Sequence, residues 1–414
     1  GATPRPSGAA TLVHMYSRRA ASPGSPMSRH GISAEWRASR VPSPRGELSG
    51  RVEATTRRSP DVAMSFADCA RPEVASAIRD GYVELCGAWL EPDKLPVAYH
   101  ELYNISFWGF EKLHPFDPCK YRKVLSTLAK GHAVSRSQVV APELASDSVL
   151  LDVHKEEYLQ EISSSAVTVA TTCEFPLLAL LPNFVVQNRV VKPMRAMTSG
   201  TILAAGMAME RGWAINLGGG MHHASASQGM GWCMFDDHYL SIRALRRLSG
   251  GKVKKAMYID LDAHQGNGIC KDKLLFEDSD LYILDAYNCQ IFPSDPPAEK
   301  AVNCSVRCGS GMASAEYLKR VSEALDRAFR EWQPDIVLYN AGTDILAGDP
   351  LGRLNVSAEG IKQRDEMVFQ ACIDAKVPVS MALSGGYAKD NASVISDSLL
   401  NLFRKFSLSG SPVA

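Results

Sequence analysis

The sequence predicts an α/β protein, a single domain built on a mostly parallel β-sheet flanked by helices on both faces. Three observations carry that reading. Between residues 95 and 405, short, mostly apolar runs alternate with longer stretches of helical spacing. Continuously apolar runs mark strands buried on both faces, whereas half-exposed strands alternate. Helix following strand also supplies the long crossovers that parallel pairing requires. Finally, the reactive side chains come just after those apolar runs, and ligands gather beyond the carboxyl ends of strands in such sheets.

Taken in order, residues 1–65 are rich in Arg, Ser, Pro, Ala and Gly and weakly periodic. Such composition cannot bury enough apolar surface to offset chain entropy. The segment reads as a disordered tail or, being Arg- and Ser-rich and acid-poor, as an organelle transit peptide. Residues 66–94 read as a mixed lead-in with one amphipathic helix. The folded domain is expected over 95–405, followed by a flexible tail over 406–414. Buried strands are expected at Trp213–Leu217, Ala256–Leu261, Leu281–Leu284, Ile336–Tyr339 and Val377–Leu383. Helices are expected at Ala196–Arg211, Ala315–Trp332 and Ala358–Ala375, the last starting behind Ser357.

The formal net charge is zero, with the first sixty residues at +7 and the remainder mildly acidic. The body therefore offers no electrostatic reason to bind nucleic acid. Ten cysteines lie scattered. Cys304 and Cys308 have no second pair at zinc-finger spacing, so reduced thiols in a reducing compartment are expected. No run of eighteen apolar residues exists, so no membrane span is expected.

The chemistry collects at four strand ends. Asp262 and His264 follow the 256–261 run, and Asp344 follows the 336–339 run. Side chains repeat every two residues along a strand, so an Asp-x-His pair at its end faces one way. Two carboxylates and an imidazole make a three-ligand site with a position left for substrate, as catalytic zinc needs. The same oxygen and nitrogen donors also admit Fe(II) or Mn(II). His222 and His223 stand in tandem behind Gly218-Gly219-Gly220-Met221, a setting for one imidazole to move a proton and the other to polarise water. Each needs an acceptor on its far nitrogen, and Asp260 is a candidate for one. Tyr387, in Ser384-Gly385-Gly386-Tyr387, offers an oxyanion donor; alone it would read as an ordinary loop tyrosine. Trp232, after Gly231, and Phe292 read either as walls of a narrow apolar channel or as core aromatics.

These residues in this order resemble the histone deacetylase family, of the arginase–deacetylase fold, and most of all its class IV branch. Supporting segments include Tyr103-Asn104-Ile105, Glu111 to Asp117, Leu181-Pro182-Asn183-Phe184, Gly200 to Ala205 and Asp262-Ala263-His264-Gln265-Gly266-Asn267-Gly268. The resemblance implies that Asp262, His264 and Asp344 bind Zn2+, that His223 is general base and acid, and that His222 is its electrostatic partner. It implies Tyr387 as oxyanion donor, Asp260 beside a structural K+, and Gly231, Trp232 and Phe292 along the substrate channel. The implied activity is hydrolysis of acyl-lysine in proteins or peptides by water activated at the metal, with histones among the substrates and chromatin regulation as the setting. Nuclear or cytoplasmic localisation would follow, or an organelle if residues 1–65 are a transit peptide. Asn267 stands where many members carry an Asp that pairs with the second histidine, and a neutral amide stabilises imidazolium less than a carboxylate does. Trp232 stands where Phe is usual.

Three rivals differ in what they need. Two-metal, arginase-like hydrolysis wants a further carboxylate where Gly266 stands. A small-molecule amidohydrolase acting on acetylated polyamines would share every catalytic residue. A non-catalytic binding module would not need the complete set.

Overall fold

The computed structural model describes residues 64–106 and 116–409. The expected tail or transit peptide over 1–65 lies almost wholly outside the described residues. So do Glu111–Pro115 of the quoted motif and the end of the 406–414 tail.

Seven strands form one sheet: β1 Val97–Ala98, β2 Trp213–Asn216, β3 Ala256–Asp260, β4 Leu281–Asn288, β5 Cys304–Cys308, β6 Ile336–Asn340 and β7 Val379–Ala382. Their order is β1-β2-β7-β6-β3-β4-β5, and every pair is parallel. All positions of β2, β3, β4, β6 and β7 are buried, as continuous apolar runs require. Two strands escaped the sequence reading. β1 is two residues long, and β5, at the sheet edge, alternates buried Cys304, Val306 and Cys308 with exposed Ser305 and Arg307. β4 also runs four residues beyond Leu284, because Asp285 and Asn288 continue the strand as buried polar residues.

The helix Lys192–Arg211 starts one turn before the expected Ala196 and is buried on nearly every side. It packs against β2 and against the helix Pro72–Cys86. The latter places Val74, Ile78, Tyr82 and Cys86 in the same core as the strands. Residues 66–94 thus share the core of the domain expected from residue 95. The helix Ala358–Ala375 starts as the spacing indicates, with Ser357 Oγ accepting from the Gly360 amide at 3.1 Å. A cap of this kind contributes about 1 kcal/mol. Helices Lys120–Lys130, Asp237–Leu248, Asn267–Leu275 and Asn391–Lys405 had no counterpart in the sequence reading.

All ten cysteines are free. No described helix is long and apolar enough to cross a membrane.

Candidate active site

The sheet order sets β2, β7, β6 and β3 side by side. Their carboxyl ends release the 218–223, 384–387, 342–344 and 260–264 segments as neighbours, so residues far apart in sequence meet at one rim. Asp237 fixes the first segment. Its two carboxylate oxygens accept the Gly220 and Met221 amides, each at 2.9 Å. Gly220 lies at φ +81°, and a Cβ there would come within 2.6 Å of Ser384. Only glycine lets this loop pass so close to the β7 loop.

The two histidines have different partners. His222 Nδ1 sits 2.8 Å from Asp260 Oδ2, and Asp260 also accepts from Tyr258 Oη at 2.9 Å and Asn340 Nδ2 at 2.9 Å. Burial disfavours charge on His222, but Asp260 and Asp262 outweigh it and raise its pKa to about 9. His223 Nδ1 instead meets the Asn267 Oδ1 at 2.9 Å. An amide oxygen only accepts, so Nδ1 carries the proton and Nε2 keeps its lone pair. Burial, then the charges of His222 and His264, hold His223 well below the ordinary imidazole range. The two rings thus sit in unequal surroundings, one against a carboxylate and the other against an amide, with centroids 4.1 Å apart.

Asp262, His264 and Asp344 bring one ligand atom each to within 4.8 Å of one another, and all three are buried. His264 Nδ1 lies 3.1 Å from Asp262 Oδ1 and 2.7 Å from Asp344 Oδ2. Burial and the Asp262 carboxylate push Asp344 up to about 7. Buried carboxylates this close need a shared countercharge. The donor set of two oxygens and one imidazole nitrogen fits a divalent cation such as zinc. Among the described residues this is the one such group of three, and Cys304 and Cys308 belong to none.

A second pair of buried carboxylates lies alongside. Asp260 and Asp285 are register partners on β3 and β4, and Asp285 Oδ1 has no hydrogen-bond partner among the described residues. That orphaned oxygen beside Asp260 fits a monovalent cation.

Tyr387 lies across from the histidines, its ring 6.1 Å from that of His264. Burial and the nearby Asp344 and Asp262 carboxylates raise its phenol well above the ordinary range, so it remains an O–H donor. Asp349 fixes its backbone by accepting the Tyr387 amide at 2.7 Å and that of Ala388 at 3.1 Å. The cavity in front of the histidines is lined by Phe116, Gly231, Trp232, Asp262 and Tyr387, among others. Trp232 is 8% exposed and packs on Phe116, with ring centroids 5.5 Å apart, whereas Phe292 is 42% exposed and sits edge-on to His223 at 5.2 Å. Trp232 therefore lies inside the cavity lining and Phe292 nearer the surface. At Gly231, φ is +58° and a Cβ would meet His223 Cδ2 at 2.8 Å, so glycine lets the wall pass against the base.

All the site residues expected from the sequence converge here. Sequence reasoning missed residues that support them, among them Asp237, Lys120, Glu174, Asp285 and Asp349. Lys120 is fully buried and donates to the Ser384 carbonyl at 2.5 Å and the Gly385 carbonyl at 3.1 Å, holding the Tyr387 loop. Burial raises the Glu174 carboxyl, and the charge of His264 and the nearby Gly231 amide partly offset that rise. Each is an ionisable residue type that reads as solvent-exposed in sequence, and each meets residues distant along the chain.

Comparison with known proteins identifies the family. The histone deacetylase domain matches residues 114–403. Histone deacetylase 2 of Arabidopsis thaliana is 48% identical over 313 residues, covering 75% of this chain and 79% of that protein. Histone deacetylase 8 of Xenopus tropicalis is 25% identical over 318 residues, covering 73% of this chain and 82% of its own length. A crystal structure of the HDA15 HD domain superimposes with a TM-score of 0.58 at 19% identity, covering 78% of this chain and 90% of that one; this likeness concerns the fold. With one domain accounting for most of the described residues and near-half identity across three quarters of its length, the chain belongs to the histone deacetylase family.

Proposed function

We propose that this hydrolase is a zinc-dependent lysine deacylase, cleaving the amide of Nε-acyl-lysine in a protein or peptide. The observation that carries the reading is the unequal histidine pair beside the Asp262, His264 and Asp344 cluster, with a protonated phenol opposite. Those three residues would hold the ion, and Fe(II) suits the same donors. The metal, when bound, polarises the amide carbonyl and acidifies water.

The remaining work belongs to the chain's own groups. His223 Nε2 takes a proton from the attacking water and later gives it to the leaving lysine amine. His222, held cationic by Asp260, favours the developing negative charge beside it. Tyr387 Oη donates to the oxyanion as the carbonyl carbon becomes tetrahedral. Trp232 and Phe116 exclude water around the acyl-lysine stem, and Phe292 meets it at the lip. Asp260 and Asp285 would hold a K+ that neutralises charge beneath the site. Asn267 in place of Asp supports assignment to the class IV branch. Histone tails in nucleus or cytoplasm are among the substrates this reading admits, and no direct contact with nucleic acid is part of it.

The two-metal rival has little support. At Gly266 a Cβ would approach Asp260 Oδ2 to 2.5 Å, so the further carboxylate that rival needs does not fit there. The test is hydrolysis by zinc-loaded protein of an acetyl-lysine peptide, a myristoyl-lysine peptide and an acetylated polyamine, with Asp262→Ala as blank. Release from a peptide that vanishes in the variant is the expected result. Release from the polyamine alone would replace the protein substrate by a small one, and release from none in metal-loaded protein would favour a binding module.

A further inference from the structure

The Asn267 amide is the weak point of the base. Its oxygen must face His223 Nδ1 for Nε2 to be free. Turned over, its NH2 would face that nitrogen and enforce the opposite tautomer, with the proton on Nε2. Nothing within the amide decides between the two orientations, so the decision must come from what lies on its other side.

On that side is Asp295. Asn267 Nδ2 donates to Asp295 Oδ2 at 3.2 Å, and Lys271 Nζ reaches the same oxygen at 2.8 Å. The carboxylate is itself anchored. The Asp295 amide donates to Gln265 Oε1 at 2.9 Å, and Gln265 Nε2 returns a bond to the Asp295 carbonyl at 3.0 Å. Asp295 Oδ1 caps the short helix Pro296–Glu299 through the Ala298 amide at 3.2 Å. Turning the Asn267 amide would set its oxygen against an ionised carboxylate oxygen at the same short distance. An ionised carboxylate only accepts, so that arrangement exchanges a charge-assisted hydrogen bond for repulsion.

We propose that Asp295 is the positioning residue that fixes His223 as the base, acting through the Asn267 amide. A carboxylate that elsewhere would touch the imidazole directly is here set one amide further out. Burial tends to raise the Asp295 carboxyl, but hydrogen bonds from Lys271 and Asn267 hold it below the ordinary carboxylate range. It is therefore charged at neutral pH, when the base must be ready. Asp295 touches no reacting atom.

The kinetic arm of the test rests on the deacylase reading, and the spectroscopic arm does not. Asp295→Ser removes the carboxylate yet retains a hydroxyl able to cap the 296–299 helix. In zinc-loaded protein the ring-nitrogen 15N shifts of His223, assigned by difference from His223→Gln, report its tautomer. The expected result is an Nδ1–H ring in the parent and a mixed or Nε2–H ring in Asp295→Ser. The variant should lose about 10- to 100-fold in kcat, the scale for groups that orient a reacting ligand, with KM within a few-fold. Asn267→Asp placed in the Asp295→Ser background restores a direct carboxylate and should recover most of the loss and the Nδ1–H ring. An unchanged tautomer and kcat in Asp295→Ser would overturn the proposal, as would a loss that Asn267→Asp does not recover in folded protein. If the parent hydrolyses no acyl-lysine, the functional reading fails and the tautomer still decides the role of Asp295.

Discussion

At the scale of single residues, the site works by giving similar side chains different partners. A carboxylate stands behind His222 and an amide behind His223, which in the proposed mechanism divides cation from base. Tyr387 completes the set, and its contribution is separable from binding. Tyr387→Phe should lower kcat by roughly 10²–10³ with little change in KM, the scale for an oxyanion donor. Steady-state kinetics on one acyl-lysine peptide check this, and an effect on KM alone would reduce Tyr387 to a substrate contact. The histidine pair, the Asp-x-His pair, Asp344 and Tyr387 were legible because they occur together, each set after a glycine run or a strand. Lys120, Asp349, Asp285 and Asp295 were not legible. Their meaning lies in contacts with backbone or side chains that sequence spacing does not record, such as Lys120 with the carbonyls of Ser384 and Gly385.

At the scale of elements, the central strands announced themselves because burial on both faces favours a mostly apolar run. The edge strand β5 did not, since its exposed face carries Ser305 and Arg307. The helix Ala358–Ala375 was bounded correctly by its cap, yet its inward contribution was invisible. Arg364 on it is completely buried and pairs with Asp365 at 2.8 Å. Its guanidinium also donates to the Leu261 carbonyl at 3.1 Å and to that of Gly342. Those carbonyls directly precede or closely flank Asp262 and Asp344, so one side chain ties the helix to two ligand-bearing loops. Arg364→Met would leave Asp365 buried without its partner and unpair the carbonyls. A loss of about 3–5 kcal/mol is expected, the range for breaking a buried ion pair by removing one member. Urea unfolding checks it, and an unshifted midpoint would show the pair to be dispensable.

At the scale of the molecule, the strand order makes the site. Because β2, β7, β6 and β3 are adjacent and parallel, four loops separated by up to about 160 residues open onto one rim. The identity and direction of the five central strands were legible from apolar runs and helix alternation. The order was not, because nothing in a single run states its neighbour. The convergence of reactive residues at strand ends was the indirect sign of it.

In the proposed function, Asp262, His264 and Asp344 hold the metal on which hydrolysis depends. The most direct measurement is a titration of metal-stripped protein with zinc, following bound zinc per chain and acetyl-lysine peptide hydrolysis together, for the parent and Asp344→Ala. The account predicts activity rising in proportion to zinc up to one ion per chain in the parent, and loss of both binding and activity in folded Asp344→Ala. Hydrolysis that persists in stripped protein, or survives in Asp344→Ala, would contradict it.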